Sequence, residues 1–215
     1  MPNSVYIQCY SRLLAAAAAL ALAAAFPMAL RAEPVDDLLL ALQPVERLQG
    51  EFRQQQVATD GTVTAESEGR FRLLRPGYFA WEIRAPDSQL IVANRDYLWH
   101  HDRDLETVTR RPIAGSEAMT PLQVLGGDGA ALRRDYTVSR DAEQRFVLTP
   151  KGEGAGFQEL ALMLQGAAIL GMEVRDNLNQ RVVIEFSALD TISPLTALDF
   201  DFTPPPNADL FYQAQ

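Results

Sequence analysis

The sequence predicts a mainly β fold of the α+β class: a single curved antiparallel sheet covered by a few helices. Hydrophobic alternation runs through most of the chain, whereas helical spacing is confined to two short stretches. No repeat, low-complexity linker or charge block divides the chain from Glu33 onward, which predicts one domain over 33–215.

The first 32 residues stand apart. Residues 13–26 read LLAAAAALALAAAF, preceded by Arg12 and followed by Pro27, Ala29 and Ala32. A basic start, a short apolar core and a small-residue exit are the pattern of a secretory signal peptide, with cleavage after Ala32 first and after Ala29 second. The competing reading is a membrane anchor, but alanine contributes little transfer energy and Pro27 interrupts the stretch. The single Cys9 lies before the apolar core, so it leaves with the signal.

Val35, Leu38, Leu42, Val45 and Leu48 recur at spacings of three and four, which predicts an amphipathic helix over 34–48. Pro34 suits its first turn, and Pro44 bends or splits it. Residues 49–57 read as extended, and Asp60-Gly61 signals a hairpin with a returning strand. Phe71 and Leu73 share one face of that strand, which stops at Arg75-Pro76-Gly77. Phe79, Trp81 and Ile83 share a face of the next strand, ending near Pro86-Asp87. Leu90 and Val92, the turn 94–96, then Tyr97 and Trp99 follow. Thr120-Pro121 caps a short helix through Leu122 and Leu125, glycines at 126, 127 and 129 interrupt it, and 130–134 resumes it. Phe146 with Leu148, 160–164, 182–186, and Phe200 with Phe202 continue the alternation. So little helix over so much sheet favours strong curvature, with room for a cavity on one side.

Composition removes whole classes. The 215 residues are 47% hydrophobic and 22% charged, a globular rather than disordered balance. With 19 Lys+Arg against 28 Asp+Glu, the net charge of −9 opposes general nucleic-acid binding and polybasic docking onto anionic lipid. Loss of residues 1–32 removes two arginines and no acid, leaving 183 residues, a charge of −11 and no cysteine. A disulfide framework and a multi-cysteine metal site are thereby excluded.

Candidate chemistry is sparse. His100-His101, near Asp102, Asp104 and Glu106, reads as a hairpin turn with solvated charge, because neighbours on a strand point to opposite faces and do not readily share one metal. Residues 176–180 (DNLNQ) lack the glycine and final glutamate of a calcium loop and read as a turn. Gly126-Gly127-Asp128-Gly129 does not complete a phosphate loop. No serine sits in a nucleophile-elbow sequence. The reading is therefore no catalytic residue, no metal and no cofactor. Arg75 stands out, before Pro76-Gly77 and the aromatic Tyr78, Phe79 and Trp81. It is either a surface arginine in a turn or a guanidinium that holds the carbonyls of a covering helix.

The stretches GRFRLLRPGYFAW (69–81), QLIVANRDYLWHHDRDLETVTRRP (89–112), 120–125, FVLTPK (146–151) and FDFTPP (200–205) resemble, in order, the periplasmic lipoprotein carrier family LolA. Arg95 departs from the family's glycine-containing turn, and the region 126–129 is lengthened. The resemblance implies an incomplete β-barrel with a helical lid over an apolar cavity for lipoprotein acyl chains. It implies that Arg75 ties the lid shut until cargo displaces it. It also implies a periplasmic chaperone, not an enzyme, between an inner-membrane ABC complex of the LolCDE type and an outer-membrane acceptor lipoprotein of the LolB type. The cavity lining is expected from Phe79, Trp81, Ile83, Leu90, Val92 and Trp99, and the lid contacts from Leu122 and Leu125. The acceptor lipoprotein itself needs a cysteine after the signal core, which this chain lacks. A carrier of another hydrophobic cargo, such as a glycolipid or pigment precursor, stays open, as does a lipid hydrolase. A monomer is the simplest state for one-to-one handover.

Overall fold

Pro34 opens the first helix, α1 (Pro34–Leu42), where its missing N–H costs nothing, and Asp36 and Asp37 place negative charge in the first turn. Leu38 and Leu42, one turn apart, are its buried residues. The helix stops at Leu42 rather than running to 48, because Pro44 lacks the donor the ladder needs. Val45 and Leu48 are still buried, Leu48 from within a strand. The computed structural model describes residues 33–113, 121–126, 129–152, 155–166 and 168–213. The proposed signal segment, Thr120, Gly127 and Asp128 lie outside the described residues.

Twelve strands follow in one sheet. They are β1 (Arg47–Val57), β2 (Val63–Leu74), β3 (Tyr78–Ala85), β4 (Gln89–Ala93), β5 (Tyr97–Asp102), β6 (Thr107–Pro112), β7 (Tyr136–Arg140), β8 (Phe146–Pro150), β9 (Phe157–Gln165), β10 (Ala168–Asp176), β11 (Arg181–Asp190) and β12 (Asp209–Tyr212). The order is β12-β6-β5-β4-β3-β2-β1-β11-β10-β9-β8-β7, so β1 and β11 join the two halves of a curved, open sheet. Every pairing is antiparallel except β12 with β6, which is parallel. The strands β6, β7, β10 and β12 were not legible as alternating runs in the sequence.

Two further helices, α2 (Pro121–Gly126) and α3 (Gly129–Asp135), sit where the sequence reading expects them. Phe200 and Phe202 depart from it. Phe200 closes a short 3-10 helix, Ala197–Phe200, and Phe202 follows in extended chain outside the sheet. His100 and His101 lie within β5, and the turn comes after them, at 103–106. The 176–180 turn is as expected: Asp176 Oδ1 accepts from the Leu178 and Gln180 amides at 2.8 Å each.

The sheet is buried on both faces by different covers. One face carries the main core, with Leu38, Leu42, Val124, Leu125 and Leu132 from the helices against Phe52, Phe71, Phe79, Trp81 and Phe186 from the strands. The other carries a smaller core of Ala80, Val92 and Phe200, with Leu74, Tyr78, Leu90, Leu195 and Phe202 around it.

Candidate functional site: an apolar face under helices

Strand pairing decides which side chains meet on the helix-covered face, because residues directly opposite share a face. The β2–β3 hairpin pairs Leu73 with Phe79 and Phe71 with Trp81. The β1–β2 pair sets Gly50 opposite Phe71 and Phe52 opposite Gly69. Phe52 also faces Phe186 of β11. The rings meet here: Phe52 stacks on Trp81 with centroids 3.6 Å apart, Phe71 lies 4.7 Å from Phe186, and Trp81 meets Phe186 edge-on. A Cβ at Gly69 would fall 1.8 Å from the Glu82 carbonyl and 2.9 Å from the Phe52 ring, so only glycine lets β2 run beneath that ring.

Phe79, Trp81 and Ile83 therefore lie on this face as expected, Ile83 only partly buried. Leu90, Val92 and Trp99 do not. Odd positions of β3 pair with odd positions of β4 (Phe79 with Ala93, Trp81 with Ile91), which turns Leu90 and Val92 to the other face. The β4–β5 turn then reverses the parity, pairing Val92 with Trp99 and leaving Ile91 with His100. Trp99 packs 5.5 Å from Phe202 in the C-terminal segment. Alternation within each strand was readable, but the phase between strands depends on turn geometry. Phe52, Phe71 and Phe186 are the lining residues that sequence reasoning left out. The Phe71–Trp81 pairing was signalled by the near-symmetric spacing around Pro76.

The β2–β3 turn holds the cover. Arg75 Nη1 donates to the Leu42 carbonyl at the end of α1 at 3.1 Å, and the Arg75 amide donates to Glu46 O at 2.8 Å. The Gly77 amide donates to Gly126 O at the end of α2, also at 2.8 Å. A guanidinium at a helix C-terminus satisfies an orphan carbonyl and opposes the negative dipole end. Leu125 is buried in α2. Leu122 also lies in α2, its side chain outside the described residues. Beneath α2 the cleft lined by Phe71, Leu73, Phe79, Trp81 and Leu125 holds about 10 Å³. That is room for about one water. At this point the space where a cavity was expected is filled by side chains of the sheet and of α2.

Among the described residues no group of three or more His, Cys, Asp or Glu side chains could hold a metal ion. His101 is buried on the other face, 5.7 Å from the Phe202 ring, where burial and then the Arg103 charge push its pKa below the usual value. On that same face, burial opposes ionisation of Glu82, but hydrogen bonds from Arg103 and Arg70 outweigh it and lower the pKa. No described helix is long and apolar enough to cross a membrane.

An apolar sheet face under separate helices, two of them (α1 and α2) bound at their C-terminal ends by one turn, is an arrangement suited to a protein that shelters hydrophobic surface. The comparisons agree. A family model described as outer membrane lipoprotein carrier protein LolA matches residues 43–203. The outer-membrane lipoprotein carrier protein of Alcanivorax borkumensis is 33% identical over 187 residues, 85% of this chain and 90% of that one. That of Cupriavidus pinatubonensis is 34% identical, covering 94% and 98%. A crystal structure of a candidate outer membrane lipoprotein-sorting protein domain from Vibrio parahaemolyticus superposes with a TM-score of 0.51 at 12% identity, covering 78% and 95%, a likeness of fold alone. The chain belongs to the LolA family of outer membrane lipoprotein carrier proteins.

Proposed function

We propose that the chain, after loss of residues 1–32, is a periplasmic carrier that takes the acyl chains of lipoproteins onto its helix-covered face. It would receive them from an inner-membrane ABC complex and pass them to an outer-membrane acceptor lipoprotein. It acts by binding and release rather than by catalysis. The observation that carries this reading is the ring cluster Phe52–Trp81–Phe71–Phe186 lying directly under helices that belong to no strand ladder.

Each acyl CH₂ left in water costs about 0.8 kcal/mol, so an acylated protein does not cross an aqueous gap uncovered. A permanent apolar cavity would bind such chains too tightly to release them. A lid that fills its own site lowers the net affinity by the contacts broken on opening. In this reading Arg75 is the latch: its bond to Leu42 O is lost as α1 swings away. Phe79, Trp81 and Ile83 line the acyl site with Phe52, Phe71 and Phe186, and Leu125 is the lid residue displaced.

The test is transfer. The purified protein should bind an acylated lipoprotein and not its deacylated form, and depletion should strand outer-membrane lipoproteins in the inner membrane. Equal binding of both forms would sink the proposal. Recovery of an acylated substrate with altered mass would favour hydrolysis instead, and recovery of a different lipid from the isolated protein would favour another cargo.

A further inference from the structure

The helix-covered face does not stay apolar to the edge of the sheet. Pairing extends one row from Trp81 through Ile91, His100 and Thr109 to Phe211, and the neighbouring row from Phe79 through Ala93 and Leu98 to Arg111. Beyond β4 the polar groups His100, Thr109 and Arg111 thus enter this face, beside Leu98 and Phe211. Two observations set the orientation of Arg111. It stands opposite Leu98, which is buried in the main core, and two residues before Ile113, which packs against that core.

Its surroundings contrast with those of its neighbour. Arg110, on the other face, is packed among the rings of Tyr97, Trp99 and Tyr212 at 4.4, 5.3 and 4.6 Å. The Arg111 side chain makes no hydrogen bond, ion pair or ring contact among the described residues, although the residue is only partly exposed. The adjoining polar groups are already paired: His100 Nε2 lies 3.1 Å from Gln89 Oε1, and Gln89 Nε2 donates to Asp102 Oδ2 at 3.4 Å. Among the described residues, the Arg111 guanidinium and the Thr109 hydroxyl are uncommitted donors at this end of the apolar face.

We propose that Arg111, assisted by Thr109, binds the ester and amide carbonyl oxygens that join acyl chains to their carrier group. This rests on the lipoprotein-carrier reading and adds a polar subsite to it. An acyl chain attached to protein ends in a carbonyl, an acceptor with no proton of its own. Drawing the chain onto apolar rings pulls that carbonyl out of water, and leaving it unpaired works against binding. A guanidinium has donors only, five of them in a fixed fork, on an apolar stem that reaches from dry to wet surroundings. An arginine at the border between rings and polar strip meets that requirement. It also sets a depth, because the chain slides in until its carbonyl reaches the guanidinium.

The experiment compares two synthetic lipopeptides of equal chain length, one with ester-linked acyl chains on a glyceryl-cysteine and one with ether-linked alkyl chains lacking those carbonyls. The whole mature protein should bind the ester form about tenfold more tightly, as expected for a charge-assisted hydrogen bond. Arg111→Leu should bring the ratio close to one with ether binding kept, and Arg111→Lys should keep part of the preference. Arg111→Gln serves as a second variant, and thermal unfolding checks that each is folded. An unchanged ratio in the folded variants overturns the subsite, and so does equal loss of both ligands. A dihexanoyl phosphatidylglycerol arm separates phosphate from carbonyl. If the variants lose that lipid while keeping the ester preference, the carbonyl assignment is overturned. Failure of the unmutated protein to bind either lipopeptide would overturn the carrier reading as well, whereas equal binding of ester and ether would overturn this subsite alone.

Discussion

The two faces of the sheet bury similar side chains under covers of different construction. On one, α1, α2 and α3 bring Leu38, Leu42, Leu125 and Leu132 down onto aromatic rings. On the other, the C-terminal segment brings Phe200 and Phe202 down onto Val92, Trp99 and His101. The helices join no strand ladder: Leu42 O and Gly126 O at the ends of α1 and α2 accept from Arg75 Nη1 and the Gly77 amide of the β2–β3 turn, and Asp135 O at the end of α3 accepts from the Lys151 amide. The C-terminal segment is tied in by a strand. β12 pairs with β6 over four residues, and the Asp209 and Gln213 amides donate to Glu106 O and Arg110 O. Similar apolar contacts are thus made under two covers, one joined to the sheet at helix ends and one by strand pairing, and that difference predicts that the helices lift more readily than the strand-paired segment.

The largest expected effects test whether that division of labour is real. Trp81→Ala and Phe200→Ala each delete a buried aromatic ring and should each cost about 3–5 kcal/mol in urea unfolding. In the fraction that stays folded, only Trp81→Ala should weaken binding of an acylated lipopeptide. If Phe200→Ala weakens it equally, the two faces are not separate. Next in size, Arg75→Leu should remove about 1–2 kcal/mol of the attachment of α1 to the β2–β3 turn. Amide exchange within Pro34–Leu42 should speed up by about tenfold, with 209–212 unchanged. Acceleration of both regions would mean that the cover opens as one piece.

A smaller effect, opposite in location, follows from His101. Its folded pKa lies below the unfolded value, so the docked segment favours the neutral ring. That stability is complete above the unfolded pKa of about 6.5 and is lost as pH falls toward the folded pKa. Phe202 from the C-terminal segment packs near the ring, and the charges that act on it are those of Arg103, Asp102 and His100, on or beside its own strand. Acidification should therefore raise exchange in 195–212 before it affects α1, and His101→Phe should flatten the dependence. The smallest effect belongs to Leu40, 68% exposed on the outer side of α1. Leu40→Ser should change stability by less than about 0.5 kcal/mol. A larger loss would mean that this side of the lid is covered too.

Much of the fold was readable because local rules are enough for it. Alternation marks β3 and β8, Pro34 and Pro44 bound the first helix region, and Asp60-Gly61 and Asp176 mark turns. Strands such as β6 (TVTRRP) and β12 (DLFY) escaped because arginines and edge positions hide the alternation. Of the site, Arg75 and the Phe79–Trp81–Ile83 stripe were legible. Leu90, Val92 and Trp99 went to the wrong face because a one-residue difference in turn parity inverts a whole strand.

The sequence by itself determined the strand-rich pattern, the arginine at the β2–β3 turn and the family resemblance, all carried by residues close together along the chain. Tertiary structure alone decided which rings meet, how little space is left beneath α2, and that Phe200 and Phe202 roof the opposite face. The physical reason is that register and face are set by pairing between distant strands. Phe52 reaches Trp81 across β2, and no spacing within either strand records that neighbour.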